Sequence, residues 1–288
     1  MGVMSTCAEA TTWRLPQRVR VSGGEVATGV WGEGPPVVLV HGTPAWSFLW
    51  RDVVAELAGH HTVHVWDMLG FGESIADPGV TPSIARQART LAELVEHWGL
   101  DEPSLVGHDI GGGVVLRAHL LEAVPVRGLA LVDAAVIGPW NTTFTEHMQR
   151  HAEVYRTMPE HVFGDIVAAR LRTATHRPMS EDVAAGYLAP WAGAAGQGRW
   201  IDQVAAVSCE DTREVVARLD RITAPTLVLW GERDEWLAPS AGDRLAAAIP
   251  GARRETIEAA GHFLPEDAPR RTARALLRHL GPASAAGR

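Results

Sequence analysis

The chain has 288 residues, 46% of them hydrophobic, enough for one large domain or for a core carrying an insertion. A formal charge of −8, with the basic residues scattered, argues against a polyanion-binding surface and so against nucleic acid as a partner. Two distant cysteines, Cys7 and Cys209, offer neither a disulfide framework nor a metal spacing. The N-terminus lacks a basic region followed by an apolar run, and no apolar stretch approaches the ~18 residues of a membrane span.

In chain order, 18–22 and 26–31 read as an opening hairpin around Gly23-Gly24, and 37–40 and 62–66 as buried strands. Residues 84–98 carry apolar positions at helical spacing and stop at Gly99, a C-cap signal. A strand at 104–107, a helix running to Leu121 and a strand at 128–132 continue an alternation that predicts a parallel sheet covered by helices. From about Pro139 to Arg213 the alternation stops. That stretch is helical in character, broken by Pro159, Pro178 and Pro190, and it holds both tyrosines. Alternation resumes with a strand at 225–230, a helix at 240–248, a strand at 254–258 and a last helix to Leu280. The expected organisation is a core of residues 1–137 and 215–288, with 138–214 inserted as a helical cap.

Gly107-His108-Asp109-Ile110-Gly111 follows an apolar strand and opens a helix, the setting of a nucleophile elbow. Its flanking glycines let strand and helix pack closely, and the helix N-terminus favours negative charge at the turn. An aspartate there narrows the chemistry. A serine attacking saturated carbon would make an inert ether, whereas a carboxylate makes an alkyl ester that activated water can hydrolyse. Gly261-His262 follows the last strand, and Gly231-Glu232-Arg233-Asp234 follows the strand before it, giving the order nucleophile, acid, histidine. Asp133, at the end of an earlier strand, is a second candidate acid. His41-Gly42-Thr43-Pro44 closes another strand, so that the Thr43 and Ile110 N–H groups can form an oxyanion hole.

With these motifs and Asp67–Ser74, the chain resembles α/β-hydrolases of the epoxide hydrolase and haloalkane dehalogenase group. The resemblance implies an α/β-hydrolase fold, a mostly parallel eight-stranded sheet flanked by helices, and a helical cap over the site. Dehalogenases of the group usually hold the halide with a Trp after the nucleophile and an Asn in the His-Gly-x-Pro motif. Ile110 and Thr43 stand there instead. Fluoroacetate dehalogenases usually carry an Arg where Ile110 stands. Epoxide hydrolases need phenols to protonate the opening ring, which gives Tyr155 and Tyr187 that expected role, with His147 or His151 as substitutes. Epoxide hydrolysis to a vicinal diol through an alkyl-Asp109 ester is therefore the leading expectation. Dehalogenation of a haloalkane or haloacid, with Trp140, Trp191 or Trp200 offering an indole N–H, is the alternative, and a ligand-binding protein retaining the fold is the non-enzymatic one. His41, His108, Trp140 and Trp191 are candidate substrate contacts. The expected partners are a small apolar organic molecule and water, with no cofactor or metal, in a cytoplasmic monomer or homodimer.

Overall fold

The computed structural model describes residues 13–281; the N-terminal stretch with Cys7 and the tail beyond Gly281 lie outside it. The hairpin is β1 (Gln17–Val21) and β2 (Gly24–Trp31), paired antiparallel, and β2 runs antiparallel to β4 (Thr62–Trp66). β3 (Pro36–Val40), β6 (Ser104–His108), β7 (Gly128–Val132), β8 (Thr226–Gly231) and β9 (Arg253–Ile257) complete a parallel run. The order across the sheet is β1-β2-β4-β3-β6-β7-β8-β9. A ninth strand, the two-residue β5 (Ile75–Ala76), pairs with β2, so the sheet exceeds the expected eight. Two residues are too few to leave a period in the sequence.

β3, β6 and β7 read as continuous apolar runs because helices cover both faces of a parallel sheet, and nearly every residue in them is buried. Helix α2 (Ile84–His97) starts where the Ser83 hydroxyl accepts the Arg86 N–H, and it stops at Gly99, which takes φ 63°. Helices α1 (Arg51–Leu57) and α3 (Ile110–Leu121) follow β3 and β6. The chain leaves β3 for β4 on one side and later returns to β6 on the other. The crevice between the carboxyl ends of β3 and β6 is therefore a topological switch point, where open α/β sheets bind ligands.

Between β7 and β8 the chain inserts α4 (Thr143–Arg150), α5 (Ala152–Arg156), α6 (Glu160–Leu171), α7 (Glu181–Leu188), α8 (Gly193–Ala206) and α9 (Glu210–Val216). The last of these packs on α2 and α3 rather than on its insertion neighbours. After β8 come α10 (Pro239–Ala248), β9, α11 (Leu264–Asp267) and α12 (Pro269–Leu280). Among the described residues no helix is long and apolar enough to cross a membrane.

Candidate active site

Asp109 follows β6 directly and takes φ 51°, ψ −124°, a conformation that costs a non-glycine residue roughly 1–3 kcal/mol. The surroundings hold it there. Its N–H donates to the Val132 carbonyl (3.1 Å), and its carbonyl accepts from Gly112 and Ala135 (both 2.9 Å). Close approach explains the neighbouring glycines. A Cβ on Gly111 would lie 2.4 Å from the His41 carbonyl oxygen, and one on Gly42 would lie 2.4 Å from the Asp109 Cβ. The β3 turn and the elbow thus touch through glycine, which brings the Thr43 N–H within 2.8 Å of Asp109 Oδ2. Burial raises the Asp109 pKa, and the charge of His262 and the Thr43 and Ile110 N–H groups pull it back.

His262, just beyond β9, is buried, with Nε2 3.8 Å from Asp109 Oδ1 and Nδ1 3.0 Å from Asp234 Oδ2. The other oxygen of Asp234 accepts the N–H groups of Trp236 (2.8 Å) and Leu237 (2.9 Å), fixing the carboxylate in the loop after β8. Burial resists protonation of His262, but the Asp234 and Asp109 carboxylates outweigh it and raise its pKa. Asp133 is also buried, but its Oδ1 accepts the Gly231 N–H (2.7 Å) and its Oδ2 has no partner. Burial, and then the charge of Asp234, push its carboxyl well above the usual range. Of the two candidate acids, Asp234 is the one hydrogen-bonded to His262.

Above Asp109 lies a cleft of about 530 Å³, part of it open to solvent. Thr43, Asp109, Ile110, Trp236 and His262 form its floor, and the insertion closes over it with Trp140, Arg170, Trp200 and Gln203. Several expected contacts are not there. Tyr187 is buried with its hydroxyl donating to Glu266 Oε2 (2.9 Å), and Glu266 in turn takes a bidentate ion pair from Arg51. Tyr155 packs edge-on to His147, and neither tyrosine, nor His147 or His151, lines the cleft. Both tyrosines fall in the insertion, but their helix faces turn into its packing. Trp191 also misses the cleft, because its indole N–H donates to the Pro44 carbonyl (2.9 Å) and ties the insertion to the β3 turn.

The two histidines expected to touch substrate, His41 and His108, do not line the cleft. His41 has one ring nitrogen on the Gly42 carbonyl and the other accepting the Met68 N–H, and burial lowers its pKa to about 4. His108 donates from Nε2 to the His262 carbonyl (2.8 Å), bracing the loop that carries His262. Trp140 does line the cleft, but its indole N–H is committed to Thr212 Oγ1 (3.0 Å). His147 and His151 stand one helical turn apart with ring centroids 4.6 Å apart. Among the described residues no cluster of three or more His, Cys, Asp or Glu could hold a metal.

Three cleft residues escape a motif search. Trp236, two positions past Asp234, stacks on His262 at 4.7 Å and 29°. The Arg170 guanidinium lies 3.5 Å over that indole. Gln203 on α8 is buried, and its Oε1 accepts the Thr43 hydroxyl (2.9 Å). In this arrangement Nε2 is left without a partner. One turn earlier on the same helix, the buried Trp200 indole N–H is likewise unpartnered. Their i, i+3 spacing is the one sequence signal that pairs them.

A family profile for the alpha/beta hydrolase fold matches residues 35–269. Haloalkane dehalogenase 2 of Mycobacterium tuberculosis is 34% identical over 262 residues, covering 87% of this chain and 89% of that protein. A haloalkane dehalogenase of Mycobacterium marinum is 31% identical over 248 residues, covering 82% and 81%. The crystal structure of an alpha/beta hydrolase fold protein from Burkholderia ambifaria superposes with a TM-score of 0.89 at 35% identity, over 92% of this chain and 98% of that one. The chain belongs to the alpha/beta hydrolase fold family, within its dehalogenase and epoxide hydrolase group.

Proposed function

We propose that the protein is a hydrolytic dehalogenase that works through a covalent alkyl ester of Asp109. The observation that carries this reading is the carboxylate itself. It sits on a strained elbow, with one oxygen held by the Thr43 N–H and the other turned toward His262. The similarity to haloalkane dehalogenases supports a halogen as leaving group over an epoxide oxygen. The cleft supports the same choice. An alkoxide needs a proton donor, and neither tyrosine lines the cleft, whereas a halide needs only N–H groups aimed at it.

Asp109 Oδ1 attacks the halogen-bearing carbon, the carbon–oxygen bond forms as the carbon–halogen bond breaks, and the halide leaves with the bonding pair. The Trp200 indole N–H and the Gln203 amide, both buried and unpartnered, receive it. They stand in for the Trp and Asn that Ile110 and Thr43 replace. His262 Nε2 then takes a proton from a water that attacks Asp109 Cγ. The resulting oxyanion on Oδ2 is held by the Thr43 and Ile110 N–H groups, and Asp234 steadies the imidazolium. Collapse releases the alcohol and restores the carboxylate. The net reaction is R–X plus water to R–OH, a proton and X⁻. The inserted helices act as a lid that excludes bulk water from the ester.

The test is intact mass of a His262→Gln variant exposed to alkyl bromides and to epoxides. Removing the base should strand the ester, and an adduct weighing the alkyl group without bromine, mapped to Asp109, is the expected result. An adduct weighing a whole epoxide would restore epoxide opening, and an adduct on another residue would refute Asp109 as nucleophile.

A further inference from the structure

Arg170 has no place in that reaction. It comes from α6 into the cleft wall, and it is the sole Lys or Arg among the residues lining the cleft. Among the described residues it forms no ion pair: the one hydrogen bond it makes, to Thr142 Oγ1, is long at 3.4 Å, and its guanidinium stacks 3.5 Å over the Trp236 ring. Burial lowers its pKa to about 10, with the Asp109 and Asp234 carboxylates pulling the other way, so it remains a cation at neutral pH. Holding a half-buried guanidinium without a paired carboxylate has a desolvation cost, and a neutral haloalkane would give nothing in return.

Arg170 shares the cleft with polar side chains, Asn141, Thr142 and Thr145, and the Asn141 Oδ1 is buried without a partner. Its guanidinium also lies 5.5 Å over the Phe144 ring. Ile110, Val204, Val207 and Leu237 make much of the remaining lining apolar. The cleft thus offers one cation and several hydrogen-bonding groups in an otherwise largely apolar wall that includes the nucleophile. The separation is short. Contacts of 3.5 Å from guanidinium to indole and 4.7 Å from indole to imidazole put the guanidinium carbon within their sum, about 8 Å, of the His262 ring.

We infer that the substrate is an anion, a short haloalkanoate, whose carboxylate is gripped by Arg170 and its neighbouring hydroxyls while the halogen-bearing carbon faces Asp109. A guanidinium suits this task because its planar fork meets both carboxylate oxygens. It also answers an electrostatic problem, since an anionic substrate must otherwise approach an anionic nucleophile. The inference takes its chemistry from the dehalogenase reading, but the carboxylate site stands on the cleft alone.

The test has two arms. In the first, wild-type protein and the Arg170→Met and Arg170→Lys variants are assayed for bromide release. Bromoacetate and 3-bromopropionate are compared with bromoethane and 1-bromopropane. The acids should be the better substrates, and Arg170→Met should cut their kcat/KM by ~10- to 100-fold, mostly through KM, as expected for lost charge-assisted hydrogen bonds. Arg170→Lys should recover part of that loss, while the neutral bromides change far less. Equal losses on acids and neutral bromides would overturn the inference and leave Arg170 as a positioning residue for Trp236. In the second arm, butyrate binding is measured by calorimetry, with no chemistry required. Binding to wild type that Arg170→Met abolishes supports the site, and absence of binding overturns it. Butyrate binding with no bromide released from any substrate would sink the dehalogenase reading while the anion site survives.

Discussion

Gln203→Leu is the perturbation that most directly tests the halide site. The Gln203 amide is buried, with Oε1 bonded to the Thr43 hydroxyl and Nε2 without a partner. A hydrogen bond to a charged group is worth about 1.5–3 kcal/mol, and this one is made only as the halide departs. Its loss should lower the rate of ester formation by ~10- to 150-fold. The fold should suffer little. Leucine removes an unpartnered buried amide, which favours the native state, and orphans the Thr43 hydroxyl, which opposes it; each effect is about 1–3 kcal/mol. The assay is rapid-mix halide release with matched chloro, bromo and iodo substrates, alongside a thermal melt. The deficit should be largest for chloride, the poorest leaving group, and Trp200→Phe should show the same order. A loss that is equal across the three halides, or that appears only in ester hydrolysis, would refute the assignment.

Asp133→Asn should keep its hydrogen bond from the Gly231 N–H and turn over at close to the wild-type rate, whereas Asp234→Asn should lose ~10²- to 10⁴-fold in kcat. Because the Asp133 pKa is raised in the folded state, its contribution is fully present below the ordinary value of 3.8 and is lost as pH rises. Asp133→Asn should therefore gain in melting temperature relative to wild type between about pH 4 and neutrality, and a loss at neutral pH would contradict this. Tyr155→Phe should leave halide release unchanged. Tyr187→Phe should cost about 1 kcal/mol of stability, read in denaturant melts, through the lost bond to Glu266 rather than through chemistry. A collapse of turnover in either phenylalanine variant would bring the phenol mechanism back.

The elements legible in the sequence were those whose signals are local. β3, β6 and β7 showed as apolar runs because both faces are covered, and the Asp109 elbow showed because its glycines are required where backbone meets backbone. The order Asp109, Asp234, His262 was legible for the same reason, each residue following its own strand. The inserted helices were legible as helices but not as a surface. Which face of α5 or α7 meets the cleft depends on how the insertion packs on itself and on the core, so the sequence does not separate Tyr155 and Tyr187, which stand outside the cleft, from Gln203 and Arg170, which line it. Nor does the His-Gly-Thr-Pro motif reveal that two backbone groups occupy both nitrogens of His41.

The charges of the site explain why one histidine can serve a two-step reaction. In the resting site the carboxylates of Asp234 and Asp109 together raise the His262 pKa. Alkylation makes Asp109 a neutral ester, so one of the two charges holding a proton on His262 disappears just when a neutral base is needed. Arg170, whose charge also lowers the His262 pKa, works in the same direction when the ester comes from a neutral bromide that leaves its guanidinium unpaired. Ester hydrolysis should accordingly persist to lower pH than the titration of His262 in the free enzyme would allow. Single-turnover rates from accumulated ester, set against an NMR titration of the resting imidazole, would measure that gap. Arg170→Met, which removes a cation that helps keep the imidazole neutral, should raise both pKa values and leave the gap between them largely unchanged. If the two pKa values coincide in wild type, the Asp109 charge does not control the base, and the order of events derived from this geometry is wrong.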